Sequence, residues 1–222
     1  MLTNPFPNVD WMDLLFAMGE TFYMTMLALI GTLIFGVILG LLLYLTANDG
    51  IWENKLLNFI VSSIVNVFRA IPFVILILLL IPFTDFLIGT IRGPNAALPA
   101  LIIGSAPFYA RLVEIGLREV DKGVVEAAKS MGAKTTTIIY KVLLKESTPA
   151  LVSGLTVTAI ALIGYTAVAG VIGAGGLGDF AYFHGFMRRD FDVVFVCTVL
   201  IVIIVFIFQF IGDAITNKMD KR

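Results

Sequence analysis

Cysteine, histidine and charge are all scarce in this chain. There is one cysteine, Cys197, inside an apolar run, so no intrachain disulfide and no cysteine metal framework can form. One histidine, His184, cannot build a multi-histidine metal site and reads as an exposed loop residue rather than a ligand. No G-x-x-x-x-G-K-[ST] occurs, so the chain carries no phosphate-cradling nucleotide loop. Neither G-x-S-x-G nor H-E-x-x-H is present, which leaves an intramembrane hydrolase without a nucleophile–base pair or metal ligands. No catalytic residue and no metal site are therefore expected. Charged residues make up 14% of the 222 positions, against about 25% in soluble domains. What remains is apolar: 59% of the residues, with a mean hydropathy of +0.99. Such a chain cannot cover a surface in water, and the expectation is an all-α integral membrane protein.

Apolar runs set the number of spans. Thr21–Leu45 is uncharged, Leu56–Phe83 is interrupted by Arg69 and Pro72, and Ala96–Ala110 holds Pro99 and Pro107. Pro149–Gly178 is uncharged with a glycine-rich end, and Val193–Gly212 is a clean stretch. Crossing about 30 Å of hydrocarbon takes roughly 20 apolar residues in a helix, so five spans are expected. For the second, either Arg69 is buried, or Leu56–Phe68 lies along the inner surface and the crossing runs from Ala70 to Ile88. A charge at the bilayer centre costs at least about 2.5–3.5 kcal/mol, which favours the later start. Arg69 with Pro72 then marks a helix start or kink at the inner boundary. Arg69 either pairs with an acid such as Glu114 or serves as a basic anchor, the second being favoured.

Basic residues give the orientation. With five spans, one side collects Lys55, Arg69, Arg111, Arg118, Lys122, Lys129, Lys134, Lys141, Lys145, Lys218, Lys221 and Arg222, and the other only Arg92, Arg188 and Arg189. The side rich in Lys and Arg is cytoplasmic. The expected plan is an outer segment 1–20, a five-span domain 21–217 with a cytoplasmic loop 114–146, and a cytoplasmic tail 218–222. The leader holds Asp10, Asp13 and Glu20 but no Lys or Arg, so the first span does not read as a cleaved secretory signal.

The loop is long for a membrane protein and polar. Asp121 suits an N-cap, with a short helix running to about Met131. Val124, Val125, Ala128 and Met131 recur at helical spacing as a narrow apolar stripe. Ala127 and Ala128 are small enough for close approach to a partner, and Gly132 permits a turn. A second helix begins at Thr135-Thr136-Thr137, with Ile138, Ile139, Val142 and Leu143 on its apolar side. Periodicity alone fits equally a loop that merely packs on the bundle.

Glu126-Ala127-Ala128-x-x-x-Gly132, followed by Val142-x-Leu144, resembles the coupling-loop motif of ABC importer permeases. That family ends the motif in proline where this chain has Lys145. Arg69-Ala70-Ile71-Pro72-Phe73, Ala106-Pro107-Phe108-Tyr109-Ala110-Arg111 and Gly164-Tyr165-Thr166-Ala167-Val168-Ala169-Gly170 resemble methionine-importer permeases. So does Gly173-Ala174-Gly175-Gly176-Leu177-Gly178, which osmolyte and phosphonate permeases share. The resemblance implies a type I ABC importer permease fold in the cell membrane, transporting methionine. It implies a second copy of the chain, two ABC ATPase subunits that bind ATP and Mg, and an external substrate-binding lipoprotein. Val124, Glu126, Ala127, Ala128, Met131 and Gly132 would engage the ATPase. No nucleic acid partner is implied.

In the fourth span, Ala150–Ile172, the residues Ser153, Thr156, Tyr165 and Thr166 are candidates for lining the pathway. Ordinary helix packing accounts for each of them as well. The glycine run after it reads as a flexible or re-entrant outer element that contacts the binding protein with Phe180–Phe186, or as a loop without function. The cargo alternatives are another amino acid, an osmolyte or a phosphonate. An ion-coupled carrier lacks support, since no span carries a central acid and no inverted repeat is visible.

Overall fold

A computed structural model describes residues 9–48 and 50–219. Among them the chain is helical, with no strand. In order the helices are α1 Trp11–Thr46, α2 Lys55–Ala70, α3 Phe73–Leu79, α4 Ile81–Ile88, α5 Pro94–Arg118 and α6 Lys122–Ser130. Then come α7 Thr135–Thr137, a π-helical stretch Ile138–Leu143, and α8 Leu144–Ala169. A π-helical turn Gly170–Ala174, α9 Gly176–Phe180, a second such turn Ala181–Phe186 and α10 Phe191–Met219 complete the chain.

The first helix starts at Trp11, earlier than the uncharged run. The Asp10 carboxylate accepts from the backbone N–H of Met12 at 3.0 Å and of Asp13 at 3.2 Å, which caps the helix there. An acid in the first turn, Asp13, also suits the positive end of the helix. Four helical stretches among the described residues are long and apolar enough to cross a membrane: α1, α5, Thr135–Ala174 and α10. The count reaches five when α2 and α3, broken at Ile71–Pro72, are taken as one span. The break at Ile71–Pro72 falls where a helix start or kink was expected, and the stretch expected to cross, Ala70–Ile88, is further divided into α3 and α4. Pro72 sits at the N-cap of α3, and Pro82 in the first turn of α4 cannot donate to the turn before it. Arg69 is exposed in the last turn of α2, while Glu114 is taken by Arg111 and Arg118, so the Arg69–Glu114 pair is absent.

The chain divides into two compact units. One comprises residues 9–30, Ile71–Gly104 and Ala159–Gln209. Its cores gather Leu14, Ala17, Leu177, Val193 and Cys197 in one cluster, and Met24, Ala28, Leu101, Leu162 and Ala169 in another. The other comprises Gly31–Ala70, Ser105–Thr158 and residues 210–219. There Leu45, Tyr109, Val113 and Leu117 pack with Val125, Ala128, Ile138 and Leu143. Within this unit α1 and α5 approach closely at Gly36 and Gly40, where a Cβ would come within 2.6 Å of Tyr109 and Val113 side chains. Thr32 and Ser105 share a buried hydroxyl hydrogen bond across the same contact.

Candidate functional site

The polar loop folds as the sequence expects. Asp121 is the N-cap of α6, its carboxylate accepting the Gly123 N–H at 2.6 Å. At the other end Gly132 takes φ +76°, its N–H bonding the Lys129 carbonyl at 2.9 Å while the Ala133 N–H reaches Ala128 at 3.1 Å. This pair of bonds is a Schellman close, which needs a left-handed residue just past the helix. The second helix starts at Thr135. It runs on through Lys145, so the lysine found where the family has proline lies inside a helix, and the proline of this segment is Pro149.

The apolar stripe is divided between two faces. Val125, 8% exposed, and Ala128 anchor α6 onto Leu117, Val120, Ile138 and Leu143. Val124, Ala127 and Met131, the last 81% exposed, stand outward with Glu126 and Gly132. Tyr140 is exposed as well, an aromatic that the stripe does not predict. A helix nine residues long cannot hold itself together in water, so the buried side is what fixes α6 in place. The exposed side is left for something else.

Two clefts flank the loop. One, of about 470 Å³, is lined by Tyr44, Arg118, Lys122, Glu126 and Lys129 among others. The second, of about 330 Å³, brings Val124 together with Glu119, Asp121, Glu146 and Ser153. A loop residue and a pathway candidate thus share one cavity. The Glu114 carboxylate, almost fully buried beside this region, accepts from Arg111 at 2.5 Å and from Arg118 at 2.7 Å. The i,i+3 and i,i+4 spacing that makes this possible is visible in the sequence.

The other pathway candidates have diverse settings. Thr156 is half-buried, and a Cβ at Gly212 would overlap its side chain. Tyr165 stacks on Phe73, with ring centroids 4.4 Å apart. Thr166 is buried and its hydroxyl donates to the Ile163 carbonyl at 2.8 Å, so that hydroxyl is satisfied within its own helix.

The glycine run does bend the backbone, with positive φ at Gly173, Gly175 and Gly176, yet it is pinned rather than flexible. The Gly176 N–H donates to the Glu20 carboxylate at 2.7 Å and the Leu177 N–H to the Thr21 hydroxyl at 2.8 Å. These bonds join residues 156 positions apart. His184 is half-buried, not in an exposed loop: it stacks on Phe180 at 4.4 Å, with Nδ1 enclosed. Burial raises the Asp179 carboxyl above its usual value, partly offset by His184.

Residues 33–222 match the family described as the binding-protein-dependent transport system inner membrane component. The chain belongs to that family. It is 65% identical over its whole length, and that of its relative, to the methionine import system permease protein MetP of Bacillus subtilis. It is 43% identical over 209 residues to the probable D-methionine transport system permease protein MetI of Vibrio cholerae, covering 94% of this chain and 93% of the other. Its fold superposes on a chain of the inward-facing MetNI methionine ABC transporter with a TM-score of 0.93, at 42% identity, covering 95% and 98% of the two chains. The chain is thus a membrane-embedded ABC importer permease with the all-helical type I fold.

Proposed function

We propose that this permease forms the membrane pathway for methionine and couples it to a separate cytoplasmic ATPase through α6. The cargo is supported by the full-length likeness to a methionine import permease. The observation that carries the coupling role is the two-sidedness of α6. Val125 and Ala128 lock it to the bundle, and Val124, Glu126, Ala127, Met131 and Gly132 stay exposed for a partner. A rigidly anchored helix with an open apolar side passes a push on that side into the long helices behind it.

Two copies of the chain pair around the pathway, two ATPase subunits bind ATP and Mg, and an external lipoprotein delivers the cargo. Residues 1–20 lie outside, 21–217 form the permease domain with its cytoplasmic loop 114–146, and 218–222 form a cytoplasmic tail; positions 1–8 and 220–222 fall outside the described residues. Ser153 and Thr156, together with Tyr165 and Thr166, are the pathway-lining set. Uptake of labelled methionine in cells lacking this gene tests the cargo. Loss on deletion and recovery with the wild-type gene is the expected result; recovery of another solute's uptake instead would reassign it. A Lys129→Cys variant should react with a membrane-impermeant thiol reagent only from the cytoplasmic side, and outside labelling would reverse the topology.

A further inference from the structure

Where α1 ends and α2 begins, a cavity of about 360 Å³ opens that the coupling role does not use. Lys55, Arg118, Asn48, Asn58, Ser62 and Phe59 line it. Two cations, two amides and a hydroxyl meet there, with no carboxylate among the described lining residues. Glu114, which does not line the cavity, accepts from Arg118 Nε and Nη2 and from Arg111 Nη1, so Lys55 is the lining cation outside that ion pair. Arg111 in turn donates from Nη2 to Asn66 of α2 at 3.0 Å. Among the described contacts, Lys55, Arg111 and Arg118 stand against the one carboxylate of Glu114. Such a surplus among hydrogen-bond donors suits an anion with several oxygens, above all a phosphate.

The pocket is built by backbone-anchored groups. The Asn58 side-chain amide donates to the Leu43 carbonyl at 2.9 Å and to the Thr46 hydroxyl at 3.1 Å, fixing the first turns of α2 against the end of α1. Its depth is also set. Thr46 closes α1 just past the uncharged run, and Arg118 closes α5, so both helices leave the hydrocarbon here. From the pocket, α2 carries an exposed apolar stripe of Leu56, Phe59, Ile60, Ile64 and Val67. Its other side, Val61 and Val65, packs on Leu43. A cationic pocket at headgroup depth that continues into an exposed apolar stripe matches a phospholipid, head and tails together.

We propose that this cavity binds the headgroup phosphate of an anionic phospholipid whose acyl chains run along the Leu56–Val67 stripe of α2. This rests on the chain spanning a membrane and not on its cargo or its ATPase. The full-length chain is purified in detergent, in the assembly it forms, and exchanged into equal phosphatidylglycerol and phosphatidylcholine with matched acyl chains. Native mass spectrometry then counts the lipids retained, and acylation of Lys55 reports occupancy of the pocket. Phosphatidylglycerol is expected to be retained over phosphatidylcholine and to protect Lys55. Lys55→Gln should reduce the preference about fivefold, the value of one basic residue beside an anionic headgroup. Ser62→Leu fills the cavity without changing charge and should reduce it too. Equal retention by the wild type, or an undiminished preference in both variants, overturns the proposal. So does protection of Lys55 by inorganic phosphate alone without any lipid preference, which would make the pocket a site for free phosphate.

Discussion

Gly132 closes the short helix α6 and Gly178 lies within the short helix α9, and glycine is needed at them for different reasons. At Gly132 the backbone is left-handed, φ +76°, and a Cβ would meet nothing within 4 Å. At Gly178 a Cβ would overlap the Ala167 carbonyl. The first turn is open and its glycine meets a conformational demand; the second is packed and its glycine meets a spatial one. Their neighbours follow suit. Beside Gly132 stand the exposed Met131 and Lys134, whereas Gly176, Leu177 and Gly178 are buried, the first two held by Glu20 and Thr21. A turn that must meet a partner stays clear, and a turn that holds a bundle end together fills up.

That contrast predicts a ranked set of effects. Gly178→Ala should be the most damaging, because the atom in the way is backbone and cannot swing aside. A cost of about 3 kcal/mol, seen as lost membrane-inserted yield and a lowered unfolding temperature, is expected for such overpacking. Gly132→Ala should cost only about 1 kcal/mol, from the left-handed φ alone, and should leave yield near wild type. If the two substitutions prove equally costly, the distinction between an open and a packed turn is wrong. Asp121→Ala removes the α6 cap and should cost about 1 kcal/mol locally, read as faster amide exchange over 122–130 with the bundle unaffected. Glu20→Gln keeps an oxygen acceptor for the Gly176 N–H but loses the charge, and should cost about 1 kcal/mol or less.

The smallest effect is a pH dependence at the packed turn. Folding raises the Asp179 carboxyl above 3.8, so the folded state holds that proton more tightly than the unfolded one. Stability should therefore fall as pH rises from about that value through the folded pKa, opposite to an ion-paired acid. Asp179→Asn should remove this slope from the pH profile of thermal unfolding. An unchanged slope would assign it to other groups.

The open turn was legible from sequence because its signals are local. Asp121 and Gly132 lie within a few residues of the backbone groups they satisfy, and the second helix begins at Thr135 as expected, without a side-chain cap. Periodicity placed Val124, Val125, Ala128 and Met131 together but could not say that only Val125 and Ala128 face the bundle, since the covering residues Leu117 and Leu143 come from other segments. For the packed turn the sequence left a flexible and a re-entrant element both open, because glycine content is ambiguous. What pins it, Glu20 and Thr21, lies 156 positions away. The cap at Asp10 and the helix start at Trp11, ahead of the uncharged run, were not read from the sequence. In the second span the start at Pro72 was legible, and the further division ahead of Pro82 was not.

The most direct test of coupling through the open face of α6 measures methionine uptake and ATP hydrolysis in the same vesicles, with wild type and Gly132→Asp. The side chain added at Gly132 enters open space, so the variant should insert and assemble. Uptake at background with the assembly intact is the expected result. Uptake at the wild-type rate by an inserted, assembled Gly132→Asp permease would contradict it.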